Sequence, residues 1–483
     1  MKFKTITETR AALQKGDISA VDLVQQTINN IKQSDENLNA FLEITEETAL
    51  QAAADIKPDD DRSLAGIPIG VKDMICTVEG HTTAASKMLQ NFTSPFDATV
   101  VKKLKDAGAI VIGKLNCDEF AMGASAEYSA FGPVKNPWDL NHVAGGSSGG
   151  SAAAIGGGEV LGTLGTDTGG SVRMPANFCG VVGLRPTYGR VSRFGVISYA
   201  SSFDQVGPLA RTVKDTAQLL EVLAGVDSLD ATTSNQPVGK YTEACLDSRD
   251  ISGLTIGVPE EFFTDDVDPE IQKTIRAAIK QLEQLGAKTK TISLSLTYAG
   301  IPTYYLLVKS EASSNLARFD GLRYSPLDLA SPDLLQHYLD ARGQYFGPEV
   351  KRSILMGTYA LSAGYVDAWY KQASKVRTLI RREVEAAFKE VDLIAGPSSP
   401  MPAFPLGAKT DDPLAMYLVD LLMEPASVSG TPAISVPAGF VEVDGKKLPV
   451  GLQLIAPHFQ ESRLFQVAHV YEQSQNWWQM TPE

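Results

Sequence analysis

The chain has 483 residues, 43% of them hydrophobic and 21% charged, which are ordinary proportions for a soluble globular protein and exclude disorder as its main character. A formal net charge of -14 argues against a broad basic face that would bind nucleic acid directly. Four cysteines without a C-x-x-C pair indicate neither a zinc site nor a disulfide framework, and the lack of a signal-like or membrane-spanning apolar segment predicts a cytoplasmic protein with reduced thiols.

Helical patterns dominate the N-terminal part of the chain, which we assign to residues 1–60. Residues 19–33 carry apolar residues at helical spacing and begin after Ser19, a residue type that caps helix N-termini. A second helix is expected near residues 46–56. The N-terminal part is therefore predicted to consist of helices.

Alternating strand and helix patterns follow. An apolar strand begins at residue 64 and leads to Lys72, an amphipathic helix covers residues 98–106, and a continuous apolar strand covers residues 109–113. This alternation is typical of an α/β fold whose sheet is covered by helices on both faces. The later segments that repeat it are helices at 212–223, 269–285 and 377–388 and apolar strands at 254–258, 290–294, 391–395, 433–436 and 450–455.

Residues 300–375 differ from the rest because they are rich in tyrosine and in helical patterns. They form either a helical insertion or lid, or an ordinary helical layer of the same domain. No convincing linker divides the chain, so we predict one domain over residues 1–483.

The most unusual segment is 145–173, which reads GGSSGGSAAAIGGGEVLGTLGTDTGGSVR. A flexible linker has a similar composition, but the interspersed apolar residues indicate a buried site built from backbone. A phosphate-binding loop requires a lysine after its glycines, and this segment has none. The G-x-S-x-G pattern of a hydrolase nucleophile elbow occurs here, yet the elbow needs a preceding strand, and the polar residues 136–142 indicate a loop.

Ser171 has the surroundings that a nucleophile needs. An oxyanion hole would be formed there by the backbone N–H groups of Thr168, Gly169, Gly170 and Ser171, because residues without side chains let a carbonyl group approach. The serine also needs a base, and the five histidines are scattered without patterned spacing. Lys72 is the alternative base, since burial would lower the pKa of its ammonium. The competing interpretation of Lys72 is a solvated lysine at the end of a strand.

Three segments together resemble the amidase signature family over almost the whole chain: GIPIGVKD with Lys72, GGSSGGSAAA with Ser147, and GTDTGGSVRMP with Ser171. The resemblance implies the amidase signature fold, with a large mixed central sheet covered by helices on both faces. It also implies that Ser171 is the acylated nucleophile and Lys72 the base. Ser147 is then a bridging serine that follows a cis peptide bond after Gly146.

Within that family the chain is most similar to the glutaminase (A-type) subunits of tRNA-dependent amidotransferases, through EFAMGASAEYSAFGPVKNPWD, SEASSNLARFDGLRYS, EVKRSILMGTYALSAGY and KVRTLIRREV. This resemblance implies a glutaminase that supplies ammonia for the amidation of Glu-tRNA(Gln) or Asp-tRNA(Asn). It further implies B and C subunits as partners, with tRNA, ATP and Mg²⁺ on a partner and no cofactor in this chain. The acidic charge of the chain agrees with leaving tRNA to a partner.

The substrate contacts that this resemblance implies are only partly present. Tyr304 and Asp420 fit the expected contacts to glutamine, whereas Ser353 stands where a second arginine is expected after Arg352. Either Arg352 substitutes for that arginine, or the pocket accepts another amide. Two alternatives therefore stay open: a stand-alone amidase that hydrolyses another small amide, and a catalytically silent assembly subunit.

Overall fold

The structure is a computed structural model that describes residues 4–246, 250–324 and 333–482. Its helices are α1 (Ile6–Lys15), α2 (Ala20–Leu38), α3 (Glu46–Ala54), α4 (Thr99–Asp106), α5 (Gly149–Gly156), α6 (Arg173–Cys179), α7 (Val213–Leu223), α8 (Tyr241–Ala244), α9 (Pro269–Gln284), α10 (Thr297–Asn315), α11 (Leu334–Tyr345), α12 (Pro348–Leu361), α13 (Tyr370–Ala387), α14 (Pro413–Tyr417), α15 (Glu424–Ser429) and α16 (Glu461–Gln473). Its strands are β1 (Phe41–Ile44), β2 (Pro68–Lys72), β3 (Ile110–Leu115), β4 (Lys135–Asn136), β5 (Asp139–Val143), β6 (Gly162–Asp167), β7 (Val182–Arg185), β8 (Gln205–Ala210), β9 (Thr255–Pro259), β10 (Lys288–Ile292), β11 (Leu393–Pro397), β12 (Ala433–Val443) and β13 (Lys446–Ile455).

In the described part of the chain, eleven strands form one sheet in the order β1-β3-β2-β6-β8-β7-β12-β13-β11-β9-β10. Strands β3, β2 and β6 run parallel to one another, as do β11, β9 and β10, whereas the remaining neighbours are antiparallel. Strands β2, β3, β6, β7, β8 and β11 are buried at every residue, which requires a covering layer on both faces of the sheet. The predicted α/β fold with a large mixed sheet is confirmed.

Local signals in the sequence account for many of the helix ends. The side chain of Ser19 accepts a hydrogen bond from the N–H of Asp22 and caps α2, and Thr212 caps α7 in the same way. Gly108 follows α4 with a positive φ of 86°, the conformation that favours glycine after a helix. The predicted helix at 19–33 is confirmed, although α2 continues to Leu38.

The prediction of a loop over residues 136–142 is wrong. Strands β4 and β5 form a small antiparallel hairpin there, separate from the large sheet. The side-chain amide of Asn136 donates to the carbonyls of Val143 and Phe178 at 3.0 and 2.9 Å. The contact with Phe178, which lies outside the hairpin, stabilises a conformation that the local polar sequence does not indicate. The N-terminal part likewise contains β1 besides its helices, and residues 1–3 of that predicted region lie outside the described residues.

Helices α10, α11 and α12 and the beginning of α13 occupy most of the tyrosine-rich region 300–375, of which residues 325–332 lie outside the described residues. Helix α10 packs against α12 and α13. The organisation as one domain over residues 1–483 stays a prediction. No helix in the described ranges is both long enough and apolar enough to cross a membrane.

The topology of the sheet places two chain segments at one edge. Strands β2 and β6 are parallel neighbours, with Ile69 opposite Gly162 and Val71 opposite Leu164. The carboxyl ends of parallel strands meet at the same edge of a sheet. Lys72, the last residue of β2, therefore lies beside the turn that follows β6.

Candidate active site

Lys72 is completely buried. Its Nζ donates to three side-chain hydroxyls, Ser147 Oγ at 2.7 Å, Thr166 Oγ1 at 2.8 Å and Ser148 Oγ at 2.9 Å. No carboxylate among the described residues forms an ion pair with this amine. Burial without a counter-ion favours the neutral form and lowers the pKa of Lys72 to about 8.

The hydroxyls around Lys72 differ in where their hydrogens go. Ser148 Oγ donates to the carbonyl of Thr166 at 3.1 Å and accepts from the N–H of the same residue at 3.2 Å. The hydrogen of the Ser148 hydroxyl is therefore used in the bond to the Thr166 carbonyl. Towards Lys72, Ser148 Oγ can only accept a hydrogen bond. Ser147 has no such second acceptor among the described residues, so its hydroxyl is free to donate to a neutral amine across the same 2.7 Å contact.

Ser147 is held rigidly just before α5. It is fully buried and follows a cis peptide bond, Gly146–Ser147, as the resemblance implied. The carboxyl group of Asp118 accepts from the N–H groups of Ala126 and Tyr128 at 2.9 and 3.0 Å, and it packs directly on Gly146. A side chain at position 146 would overlap this carboxyl group, so glycine is required there.

Ser171 lies in the turn between β6 and α6. Its carbonyl accepts from the N–H of Ser148 at 3.0 Å, which joins this turn to the segment that contains Ser147. Only 7% of Ser171 is exposed, and that part lines a cavity. The structure therefore places Lys72 and Ser147 in direct contact, and it joins the turn that contains Ser171 to them through the backbone of Ser148.

A buried cluster of ion pairs stabilises the same turn on the side away from the cavity. Asp167, at the end of β6, pairs with Arg173 at 3.1 Å and with Arg185 at 2.9 Å, and it accepts from the N–H of Val172 at 3.2 Å. Burial raises the pKa of Asp167, but the two guanidinium groups outweigh that effect and hold it at about 2. The carboxylate is therefore ionised and fixes both ends of the turn.

The predicted oxyanion donors form the middle of this turn. The hydroxyl of Thr168 donates to Asp204 at 2.7 Å. The N–H groups of Gly169, Gly170 and Ser171 make no hydrogen bond to other described residues, so they remain able to donate to a substrate. A Cβ atom on Gly169 would lie 2.5 Å from the ring of Tyr304, which explains why glycine stands at this position.

The cavity beside Ser171 has an aromatic and acidic wall. Predicted residues Tyr304 and Asp420 both line it. Burial raises the pKa of Asp420 to about 8, and the hydroxyl of Tyr305 donates to its carboxyl group at 3.2 Å. The other residues around the cavity are Ala121, Gly123, Ala124, Tyr128, Tyr199, Glu349, Met416 and Tyr417.

Arg352, the remaining predicted substrate residue, is not among the residues that line the cavity. Its guanidinium donates to Glu349 from the outer side, and 34% of the Arg352 side chain is exposed. Glu349 itself lines the cavity and also pairs with the buried Lys309. The sequence analysis missed Lys309 and Glu349 because they lie on different helices and belong to no motif. It also missed Ser148 and Thr166, which hold Lys72.

The chain is similar to known proteins over nearly its whole length. A family model described as Amidase matches residues 22–465. The A subunit of the glutamyl-tRNA(Gln) amidotransferase of Geobacillus thermodenitrificans (strain NG80-2) is 51% identical, with 99% of this chain and 98% of that protein covered. The corresponding protein of Thermotoga maritima, a solved structure, has a TM-score of 0.82 at 40% identity, with 99% and 96% covered. The solved peptide amidase of Stenotrophomonas maltophilia has a TM-score of 0.81 at 30% identity, with 97% and 96% covered.

We expect Asp167→Asn to destabilise the protein strongly, because it leaves two buried guanidinium groups without a counter-ion. Breaking a buried pair in this way costs about 3–5 kcal/mol. The variant should unfold at a clearly lower urea concentration than the wild type. The stabilisation is present above the ordinary aspartate pKa of about 4 and is lost as the pH falls through about 2.

The matched control is Glu385→Gln, which breaks an exposed pair with Arg381. Exposed pairs contribute about 0–1 kcal/mol, so this variant should unfold close to the wild-type midpoint. Equal midpoints for Asp167→Asn and Glu385→Gln would contradict the role assigned to the cluster.

The reactivity of Ser171 should depend on the protonation of Lys72. We expect the rate of its acylation by a fluorophosphonate to rise with pH and to reach half of its maximum near pH 8, where the amine becomes neutral. Mass spectrometry of the labelled chain measures this rate. Lys72→Met should react slowly and without that pH dependence. A wild-type rate that is constant from about pH 6 to 9 would contradict the assignment of Lys72 as the base.

Proposed function

The chain belongs to the amidase family, and from this premise we propose that it is the glutaminase subunit of a tRNA-dependent amidotransferase. It hydrolyses the side-chain amide of glutamine, and the ammonia is used to amidate Glu-tRNA(Gln), or Asp-tRNA(Asn), on a partner subunit. The observation that carries the proposal is the fully buried amine of Lys72, which contacts Ser147 Oγ at 2.7 Å. High identity to proteins named for this activity supports the same conclusion.

The reaction begins with proton transfer along the three residues. The neutral amine of Lys72 takes the hydroxyl proton of Ser147, which takes the proton of Ser171 as its Oγ attacks the amide carbon. The hydroxyl of Ser148 donates to the carbonyl of Thr166 and cannot also donate to the amine. This supports the route, because the hydroxyl of Ser147 is then the one that donates to the amine. The attack forms a C–O bond and moves an electron pair to the carbonyl oxygen.

The oxyanion accepts hydrogen bonds from the backbone of the glycine turn. We assign this role to the N–H groups of Thr168, Gly169, Gly170 and Ser171, and removing one such donor typically costs about 3–4 kcal/mol of transition-state stabilisation. The C–N bond then breaks, and the proton held by Lys72 passes through Ser147 to the leaving nitrogen. Water hydrolyses the acyl-enzyme by the same route and releases glutamate.

The proposal assigns the remaining chemistry to partners. We infer that B and C subunits accompany this chain, and that tRNA, ATP and Mg²⁺ bind to a partner, whereas this chain uses only its own hydroxyls and amine. The net charge of -14 supports a partner as the one that binds tRNA. A cytoplasmic location is part of the proposal, and the four free cysteines are in keeping with it.

A stand-alone amidase that acts on another small amide is the second candidate. The observation that favours it is the position of Arg352, which is not among the cavity residues and so presents no guanidinium to a glutamine carboxylate. The two candidates differ in what accompanies the chain and in substrate range.

Purification from the native cell under mild conditions distinguishes the candidates. We expect the chain to co-purify with two further subunits, and the complex to convert Glu-tRNA(Gln) or Asp-tRNA(Asn) into the amidated form when glutamine, ATP and Mg²⁺ are supplied. Thin-layer analysis of the aminoacyl product measures this conversion. A single monodisperse chain that hydrolyses simple amides and leaves misacylated tRNA unchanged would establish the second candidate instead.

Replacing the nucleophile should abolish the release of ammonia from glutamine but leave the use of ammonia by the partner intact. We expect Ser171→Ala in the purified complex to lower glutamine-dependent amidation by at least about a thousandfold, because no acyl-enzyme can form. Ammonium chloride should still support amidation, since the partner receives ammonia directly. The matched control is Ser151→Ala, which removes a buried serine hydroxyl that donates to Leu164; it should retain both activities. Loss of the ammonium-dependent reaction in Ser171→Ala would contradict the proposed division of labour.

A further inference from the structure

The cavity wall formed by Glu349 and Tyr417 covers a buried lysine. Lys309, on α10, has a side chain that is 1% exposed. Its Nζ donates to Tyr417 OH at 2.7 Å, to Glu349 Oε1 at 2.8 Å and to Ser353 Oγ at 3.1 Å. Two of these three acceptors, Glu349 and Tyr417, line the cavity beside Ser171. Only their side chains separate the ammonium from a substrate in the cavity.

The charges of this wall do not balance within the described residues. Lys309 pairs with Glu349 through Oε1, and Arg352 pairs with the same carboxylate through Oε2. Two cations therefore share one anion. Arg352 is partly exposed and is stabilised by water, whereas Lys309 is shielded from solvent and lies 4.5 Å from the ring centre of Tyr417. A buried cation that shares its counter-ion is stabilised by a further anion.

The small side chain at position 353 leaves room for the ammonium group of Lys309. The serine is fully buried on α12, and its hydroxyl both accepts from Lys309 and donates to Glu349, at 3.2 Å. A longer side chain at 353 would compete with Lys309 for the same volume. The lysine on α10 and the serine on α12 therefore form one complementary pair of residues that places a cation at this wall.

We propose that Lys309 binds the carboxylate of an α-amino-acid amide, the class to which glutamine belongs, and this inference rests on the proposed function. When the substrate enters, its carboxylate accepts a hydrogen bond from the Lys309 ammonium. This bond replaces the one that Lys309 donates to Glu349 Oε1 or to Tyr417 OH. Glu349 keeps its pair with Arg352 and is not left without a partner. Asp420 supplies a carboxyl group that lines the same cavity, where it can accept a hydrogen bond from the ammonium group of such a substrate.

The test compares two substrates that differ only in the carboxylate, L-glutamine and 4-aminobutanamide, with the purified complex. We expect Lys309→Met to raise the KM for glutamine by about 10- to 100-fold, the size of a lost hydrogen bond to a charged group. The kcat/KM for 4-aminobutanamide should stay within about twofold of the wild type, which also shows that the variant folds. The double variant Lys309→Ala/Ser353→Arg should restore the low KM for glutamine, because the guanidinium fills the vacated volume.

Two further variants identify the cation. Lys351→Met removes an exposed lysine from the same helix as Ser353 and should leave both substrates unchanged. A selective rise in the KM for glutamine in Arg352→Met, but not in Lys309→Met, would overturn the inference and assign the role to Arg352. Equal losses for both substrates in Lys309→Met would also overturn it, because they would indicate a structural ion pair. A wild-type complex without preference for glutamine would overturn the proposed function as well, whereas a preference that survives Lys309→Met would overturn this inference alone.

Discussion

The chemistry that we propose for this protein depends on the burial of one amine without a counter-ion. Two neighbouring strands carry completely buried lysines, Lys72 on β2 and Lys114 on β3. Lys114 pairs with Asp73 at 3.2 Å, whereas the hydrogen-bond partners of Lys72 among the described residues are three serine and threonine hydroxyls and the carbonyl of Thr166. Hydroxyls satisfy the hydrogen bonds of either protonation state but do not neutralise a charge, so burial lowers the pKa of Lys72 more than the surrounding acidic groups raise it. A carboxylate at the position of Ser147 would hold the ammonium charged and remove the base.

The rest of the site joins the segments that carry Ser147 and Ser171 to each other and to this amine. The proposed relay uses two segments that are distant from Lys72 in sequence, and a buried carboxyl group packs against each. Asp118 supports the segment before Ser147, and Asp167 supports the turn that contains Ser171. Proton transfer needs hydrogen-bond contact between the groups involved. The buried ion pairs of Asp167 are therefore best understood as geometric supports, since such pairs contribute little net stability compared with apolar packing.

The sequence predicted the elements whose signals are local and the residues that belong to a motif. Helix α2 with its cap at Ser19 and strand β3 are of the first kind, and the glycine turn before Ser171 is of the second. The hairpin at 136–143 was missed because its polar sequence carries no local strand signal, and the side chain of Asn136 is held by the carbonyl of Phe178 in another part of the chain. The pair of Lys309 and Glu349 was missed for a similar reason: helix periodicity predicts which residues are buried, but not which buried residue of another helix they meet.

The molecule separates the reacting groups from the groups that contact the rest of the substrate. The residues that we propose for the proton relay lie at the end of β2, just before α5 and in the turn between β6 and α6, and all of them are buried. The cavity wall comes mainly from residues 121–128, from α10 and α12 and from residues 416–420, and Lys309 and Ser353 lie behind it on α10 and α12. A substitution in these helices changes the charge that a substrate meets but leaves the contact between Lys72 and Ser147 intact. Identity over the whole chain therefore supports the reaction more directly than it supports the mode of recognition, and recognition has to be argued from the residues of the wall themselves.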